Sequence, residues 1–216
     1  AVAATGIERV KFNTSFPRDF HDDIVDAIEE NANICNWVHL PVQSGSNRVL
    51  RAMKRLHTIE KYKGKIDRIR ASGREIALTT DVIVGFPGET RDDFEQTIAL
   101  FEYCRYDSSY IFKYSPRFGT PAHSMKDDVS PAEKTKRFLE LEKVQKRLQS
   151  ESLSRYNGKI VSVLAERFST KSESDLTGHS TCHRVVNFKG GRDLLGQTVN
   201  VRVTEAKSNS LYGEVV

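Results

Sequence analysis

The sequence is poor in cysteine. Its 216 residues hold three, Cys35, Cys104 and Cys182, with no CxxC or CxxxC spacing among them. So odd and scattered a set excludes a disulfide framework, and it excludes a zinc or iron–sulfur site built from this chain's thiols alone. Three reduced, mostly buried thiols are expected instead. The six histidines, at 21, 39, 57, 123, 179 and 183, show no HExxH spacing, and the close pair His179 and His183 lacks the cysteine or carboxylate companions of a zinc site. No run approaches the roughly 18 apolar residues of a membrane span. The opening AVAATGIERV has no charged-then-apolar layout of a signal peptide. It reads as the tail of a helix entering a strand, which suggests a truncated start. A cytoplasmic chain with no membrane partner is expected.

What is present is an ordinary folding composition, 38% hydrophobic and 29% charged, long enough for one large or two small domains. The net charge of +4 is unevenly placed: residues 42–74 carry ten Lys or Arg against two Asp or Glu, between two acidic flanks. Such a block either attracts a polyanion by counterion release or forms a solvated helix face.

The hydrophobic periods predict alternating strands and helices up to about residue 125. IERVKF (7–12) alternates as a strand, and 19–31 places Phe20, Ile24, Val25 and Ile28 on one helical face. WVHLPV (37–42) reads as a strand. A short helix from Ser46 to Lys54 and another over 58–71 follow. IALTTDVIVG (76–85) is β-branched and nearly all apolar, the mark of a parallel strand buried on both faces. Thr90 and Asp93 form a capping box before a helix that buries Phe94, Ile98 and Phe101, and SSYIFKYS (108–115) is the next strand. That order implies right-handed βαβ units and a parallel sheet. Ser130, Pro131 and Glu133 start a long helix with Phe138, Leu141, Val144 and Leu148 on one face. After Gly158 the period shortens. Strands over 159–168, 183–188, 197–206 and 210–216 suggest a small antiparallel barrel.

Three polar loops end the predicted parallel strands, the edge where such folds bind ligands. HLPVQSGS (39–46) offers Gln43, Ser44 and Ser46, with Gly45 permitting close backbone approach. TTDVIVGFPGET (79–90) places Asp81 inside an apolar strand. An unpaired buried carboxylate costs several kcal/mol, so Asp81 needs either a ligand or an internal salt bridge to Arg or Lys. YIFKYSPRFGTPA (110–122) offers Tyr114, Ser115, Arg117 and Thr120; the planar fork of Arg117 suits a carboxylate or phosphate.

In this order, HLPVQSGSNRVLRAMKR, TTDVIVGFPGETRDDF and FKYSPRFGTPA resemble the second half of the radical-SAM domain of MiaB-type tRNA methylthiotransferases. KSESDLTGHSTCHRVVNF resembles their TRAM domain, and VKFNTSFPRDF the strand and loop before these motifs. The resemblance implies an α/β fold, the C-terminal part of a (β/α) partial TIM barrel over 1–152, followed by a small all-β, OB-like TRAM barrel over 153–216 that binds RNA. It implies S-adenosylmethionine and two [4Fe–4S] clusters in the full enzyme, whose ligands this chain lacks, so the chain alone is expected to be inactive. It implies methylthio transfer to carbon 2 of N6-isopentenyladenosine beside the anticodon, with the tRNA anticodon stem-loop as partner. Gln43, Ser44, Asp81 and Arg117 would line the S-adenosylmethionine side, and Lys171, Arg184, Lys189 and Arg192 would meet RNA phosphates. Two positions depart from the family's pattern: Phe16 stands where a histidine is usual, and Gly178-His179-Ser180 stands where GRT is usual, removing one candidate RNA contact. Sister enzymes acting on threonylcarbamoyl-adenosine or on a ribosomal protein, and a non-catalytic RNA-binding protein, stay open as alternatives.

Overall fold

The apolar run over 76–85 is the centre of the structure. A computed structural model describes every residue except Ala1, Ser15 and Lys171. Strand β2 (Ala77–Val84) pairs in parallel with β1 (Trp37–His39) on one side and β3 (Ser108–Lys113) on the other. Leu78, Thr80, Val82 and Val84 have no exposed surface. Side chains alternate along a strand, so Thr79, Asp81 and Ile83 lie on the other, concave face.

Four helices cover the buried face. Helix α1 (Asp22–Glu30) brings Val25 and Ile28, and α3 (Ile59–Arg70) brings Tyr62, Ile66 and Ile69. Helix α4 (Arg91–Cys104) brings Phe94 and Phe101, and α5 (Pro131–Ser154) brings Leu141 and Leu148. A short helix, α2 (Asn47–Ala52), fills the turn after β1. The caps form as expected at Ser46, Thr58, Thr90 and Ser130, and Thr90 and Asp93 close a full capping box. At α5 only half of that device forms. Glu133 turns from the cap to Arg137 Nε, 2.9 Å away on the next turn. The strand expected over 7–12 does not form. Val10 alone makes a parallel bridge, to Ile34.

The chain then closes a five-stranded barrel from β4 (Ile160–Ser169), β5 (Ser172–Ser180), β6 (Val185–Lys189), β7 (Thr198–Ala206) and β8 (Leu211–Val215). Its interior holds Val163, Leu176, Val186, Phe188, Val201, Val203 and Leu211. Strand β5 has no counterpart among the expected strands, because SESDLTGHS is polar and does not alternate. Gly178 lets β5 approach β4: a Cβ there would lie 1.9 Å from the Leu164 carbonyl oxygen.

Sheet and barrel share a buried seam, beside which opens a cavity of about 380 Å³. Trp37 and Ala77, at the feet of β1 and β2, join the barrel's core. Beside them Arg184 enters from the barrel and pairs with Asp107 at the foot of β3. Arg184 also donates to Ser152 Oγ at 2.6 Å, Ser152 donates to Asp107 Oδ1 at 2.5 Å, and the other Asp107 oxygen accepts Leu78 N–H at 2.6 Å. Arg184 and Asp107 are each 7% exposed. Removing one member of such a pair strands the other charge in a buried site, at about 3–5 kcal/mol. Arg184→Met is therefore expected to lower unfolding free energy by about 3 kcal/mol or more, read by urea titration, with Asp107→Asn added in the same chain recovering part of the loss. A loss below about 1 kcal/mol would show the seam is not held this way.

A second contact crosses the seam. His183, in the left-handed region at φ 59°, stacks on His179 at 4.3 Å and accepts from Lys11 Nζ at 2.9 Å. Burial, then the neighbouring His179 and Lys11, push its pKa down to about 4. The unfolded value is about 6.5. Between these values the unfolded chain binds a proton that the folded chain refuses, so stability falls as pH drops from about 6.5 towards 4. His183→Asn, which tolerates the same backbone, is expected to flatten that part of a plot of urea midpoint against pH. An unchanged slope would assign the acid sensitivity elsewhere.

Candidate functional site at the mouth of the sheet

The three polar loops meet where the parallel strands end. Gln43 follows β1 at φ 73°. It stays there because both of its backbone groups are engaged: its N–H donates to Asp81 O at 2.9 Å, and its carbonyl accepts Ile83 N–H at 3.0 Å. A non-glycine residue in that region costs roughly 1 kcal/mol or more and is commonest where function requires it. Ser44 does not reach the opening. It is fully buried, and its oxygen accepts Ser46 N–H at 3.2 Å. Gly45 sits against α4, where a Cβ would come within 2.4 Å of Thr97 Cα. Ser46 Oγ donates to Asp93 at 2.6 Å, and Arg48 also pairs with Asp93. Burial pushes the Asp93 pKa up, but the bonds from Arg48, Ser46 and Thr90 outweigh it and hold the carboxyl well below its usual range.

The second loop is fixed from beneath. Glu89 accepts Gly85 N–H at 2.7 Å and pairs with Arg137 at 2.7 Å. Burial pushes its pKa up, opposed by those two partners. Glu89 is thus a buried brace for the turn. The third loop is tied by Tyr114, whose hydroxyl donates to Ala122 O at 2.8 Å and whose ring packs edge-on against Phe86.

Together the loops enclose a cavity of about 820 Å³ lined by Gln43, Asp81, Ile83, Phe112, Tyr114 and Arg117, among others. Among the described residues, Asp81 forms no bridge to Arg or Lys. Its neighbour is His39 Nε2 at 3.4 Å, and the other ring nitrogen of His39 lies 3.0 Å from Thr79 Oγ1. Four cations line the cavity, Lys54, Arg55, Lys113 and Arg117, against Asp81 as the one acid. None of the four has an ion-pair partner among the described residues. Arg55 rests over the Phe16 ring, and its pKa is lowered by burial, with Asp81 acting in the opposite direction. Sequence reasoning did not single out Lys54 or Arg55. They sit inside the basic block, and their lack of partners is visible only in three dimensions.

Half of that block is internally engaged, including Arg48 on Asp93. Arg68 pairs with Asp26 and Glu29, Arg70 and Arg74 donate to backbone carbonyls, and Lys65 reaches Phe20 O. Of the four barrel cations expected to meet RNA, Lys189 and Arg192 are exposed, and Lys171 lies outside the described residues. Arg184 is a correction. It is buried in the seam with Asp107 and cannot reach a phosphate without opening the interface. The three thiols are free and buried, and no group of three or more metal-ligating side chains occurs among the described residues. No helix among those residues is long and apolar enough to cross a membrane.

Residues 2–101 match the model of the Radical SAM superfamily, and residues 154–216 match the TRAM domain. A tRNA-2-methylthio-N(6)-dimethylallyladenosine synthase of Thermoanaerobacter pseudethanolicus is 43% identical over 98% of this chain, and one of Serratia proteamaculans is 45% identical over 99%. The chain spans 45% of the length of each of these relatives. Among solved structures, coproporphyrinogen III oxidase (HemN) from Escherichia coli, titled a radical SAM enzyme, superimposes with a TM-score of 0.55 at 15% identity, covering 95% of this chain and 50% of that one. That likeness concerns the fold. With 43–45% identity along almost its whole length, and a Radical SAM match followed by a TRAM match, this chain is similar throughout to part of those synthases.

Proposed function

We propose that this chain is the C-terminal part of a tRNA-2-methylthio-N(6)-dimethylallyladenosine synthase, which places a methylthio group on carbon 2 of N6-isopentenyladenosine beside the anticodon. The observation that carries this reading is the cavity at the strand ends, with Gln43, Asp81 and an unpaired, half-buried Arg55 on its wall. That donor set fits S-adenosylmethionine. Asp81 can accept from ribose hydroxyls, Gln43 offers an amide, and the Arg55 fork suits the carboxylate of the methionine part. Ile83 and Phe112 supply an apolar wall for a flat base. Arg117 stands farther along the chain, after the last strand. Ser44 supports the site by shaping the turn that presents Gln43. When bound, S-adenosylmethionine supplies the radical and the methyl group.

The side chains of this chain do not fit an iron–sulfur cluster, since the described residues contain no candidate ligand group. We derive no step through one. In the same reading residues 1–152 form the radical-SAM part and 153–216 the RNA-binding part, with Lys189 and Arg192 facing the tRNA anticodon stem-loop in the cytoplasm.

The test replaces the matching part of the Serratia synthase with this chain and measures 2-methylthio-adenosine in total tRNA by mass spectrometry, in cells lacking their own synthase. The graft is expected to restore the modification. Asp81→Asn and Arg55→Met are each expected to raise the KM for S-adenosylmethionine by about tenfold or more, the worth of a charged hydrogen bond. A folded graft that binds S-adenosylmethionine but leaves tRNA unmodified would sink the substrate assignment.

A further inference from the structure

The most exposed large apolar side chain is Phe118, 95% exposed. Leaving a phenylalanine in water forgoes roughly 1.5–3 kcal/mol of burial, so its presentation calls for a use. Phe118 also sits on a hydrogen-bonded turn. Thr120 N–H donates to Arg117 O at 3.2 Å, and Thr120 Oγ1 donates to the same oxygen at 2.8 Å. Gly119 follows Phe118 at φ 80°. These features are those of a type II turn with Phe118 at its first corner and glycine at the second, where a positive φ is required. Pro116 and Pro121 flank the turn, and His123 meets the Phe118 ring edge-on at 5.8 Å.

The surroundings identify what would cover the ring. Arg117, next in sequence, lines the cavity mouth together with Lys54 and Lys113, and none has an acidic partner among the described residues. Elsewhere the cations of α3, α4 and α5 are largely paired with acids or carbonyls. An exposed aromatic beside unpaired cations is the arrangement that binds single-stranded nucleic acid, with phosphates on the cations and a base on the ring. An apolar protein segment would leave those charges unsatisfied.

We propose that Phe118 is a stacking platform for an unpaired base of the RNA substrate, next to the base that enters the cavity, with Lys54, Lys113 and Arg117 meeting the phosphates on either side. This rests on the tRNA reading above and adds to it an RNA-contacting surface on the sheet's mouth, separate from the barrel.

The test measures binding of a short RNA hairpin with an adenosine-containing loop to the 216-residue chain by fluorescence anisotropy, alongside a blunt RNA duplex of the same stem. Phe118→Ala is expected to weaken hairpin binding by about 5- to 100-fold, the loss of one base-on-aromatic stack. Phe118→Tyr should keep the affinity, and duplex binding should not change. Phe118→Trp adds a reporter whose emission the hairpin loop should quench. Because the ring is exposed, none of these changes disturbs the core. Equal hairpin affinity for wild type and Phe118→Ala would overturn the platform and leave the tRNA reading intact. No hairpin binding by the wild type would overturn both. Quenching or a blue shift produced by phospholipid vesicles and not by RNA would reassign the ring to a membrane surface and overturn the proposal.

Discussion

The structure depends on one buried ion pair. Arg184 and Asp107 are buried in the seam, on the wall of a cavity of about 380 Å³, where either charge alone would be costly. Asp107 uses both oxygens: one meets Arg184 and Ser152 of α5, the other fixes Leu78 N–H at the foot of β2. Four pieces of chain therefore meet at a single carboxylate: β2, β3, the end of α5 and the β5–β6 turn. An apolar contact alone would let these pieces slide. A buried pair tied to this many groups resists sliding, since a shift leaves a charge unmet, even though Arg184 Nε itself has no partner among the described residues.

The same accounting separates two populations of cations. In and just after the helices, Arg68, Arg70, Arg74 and Arg147 satisfy carboxylates or the carbonyls left over where helices and turns end. At the mouth of the sheet, Lys54, Arg55, Lys113 and Arg117 face one acid, Asp81. Net charge along the sequence places the two groups in overlapping stretches and cannot tell them apart. Distribution in space does so, and it moves the candidate anion surface away from most of the basic block between residues 42 and 74.

This marks what could be read from the sequence. Helices with a cap and an apolar face were legible, as at Thr90 with Phe94 and Phe101, because both signals are local. The nearly apolar run of β2 was legible as a parallel strand, although only one of its faces is fully buried, with Asp81 and Ile83 partly open to the cavity. Strand β5 was not: its polar residues are held by β4 and β6 on either side, and its telling residue is a glycine chosen for approach rather than for turning. IERVKF failed in the opposite way, alternating well and yet finding a ladder partner at Val10 only. The position of Gln43, Asp81 and Arg117 near strand ends, where the cavity opens, was legible from the polar residues there. The burial of Arg184 was not, because a basic residue beside a strand reads as surface until its acid, 77 residues away, is known.

Seam and mouth are opposite ends of the same short strands, and this links them mechanically. Strand β3 is pinned at Asp107 and reaches Lys113 six residues on, a distance of about 20 Å along an extended chain. Its parallel register with β2 runs unbroken from Thr79–Ser108 to Val84–Lys113. A slip at the foot would turn Tyr110 and Phe112 off the concave face and carry Arg117 away from Asp81, since one residue of register inverts every side chain. The barrel that grips Asp107 thus holds the geometry of a cavity it does not touch. That cavity carries strain, with Gln43 and Lys54 in left-handed conformations and Arg55 partly buried without an ion-pair partner among the described residues. Such strain persists only where the frame around it is over-determined. The dense bonding at the foot of the sheet provides that frame.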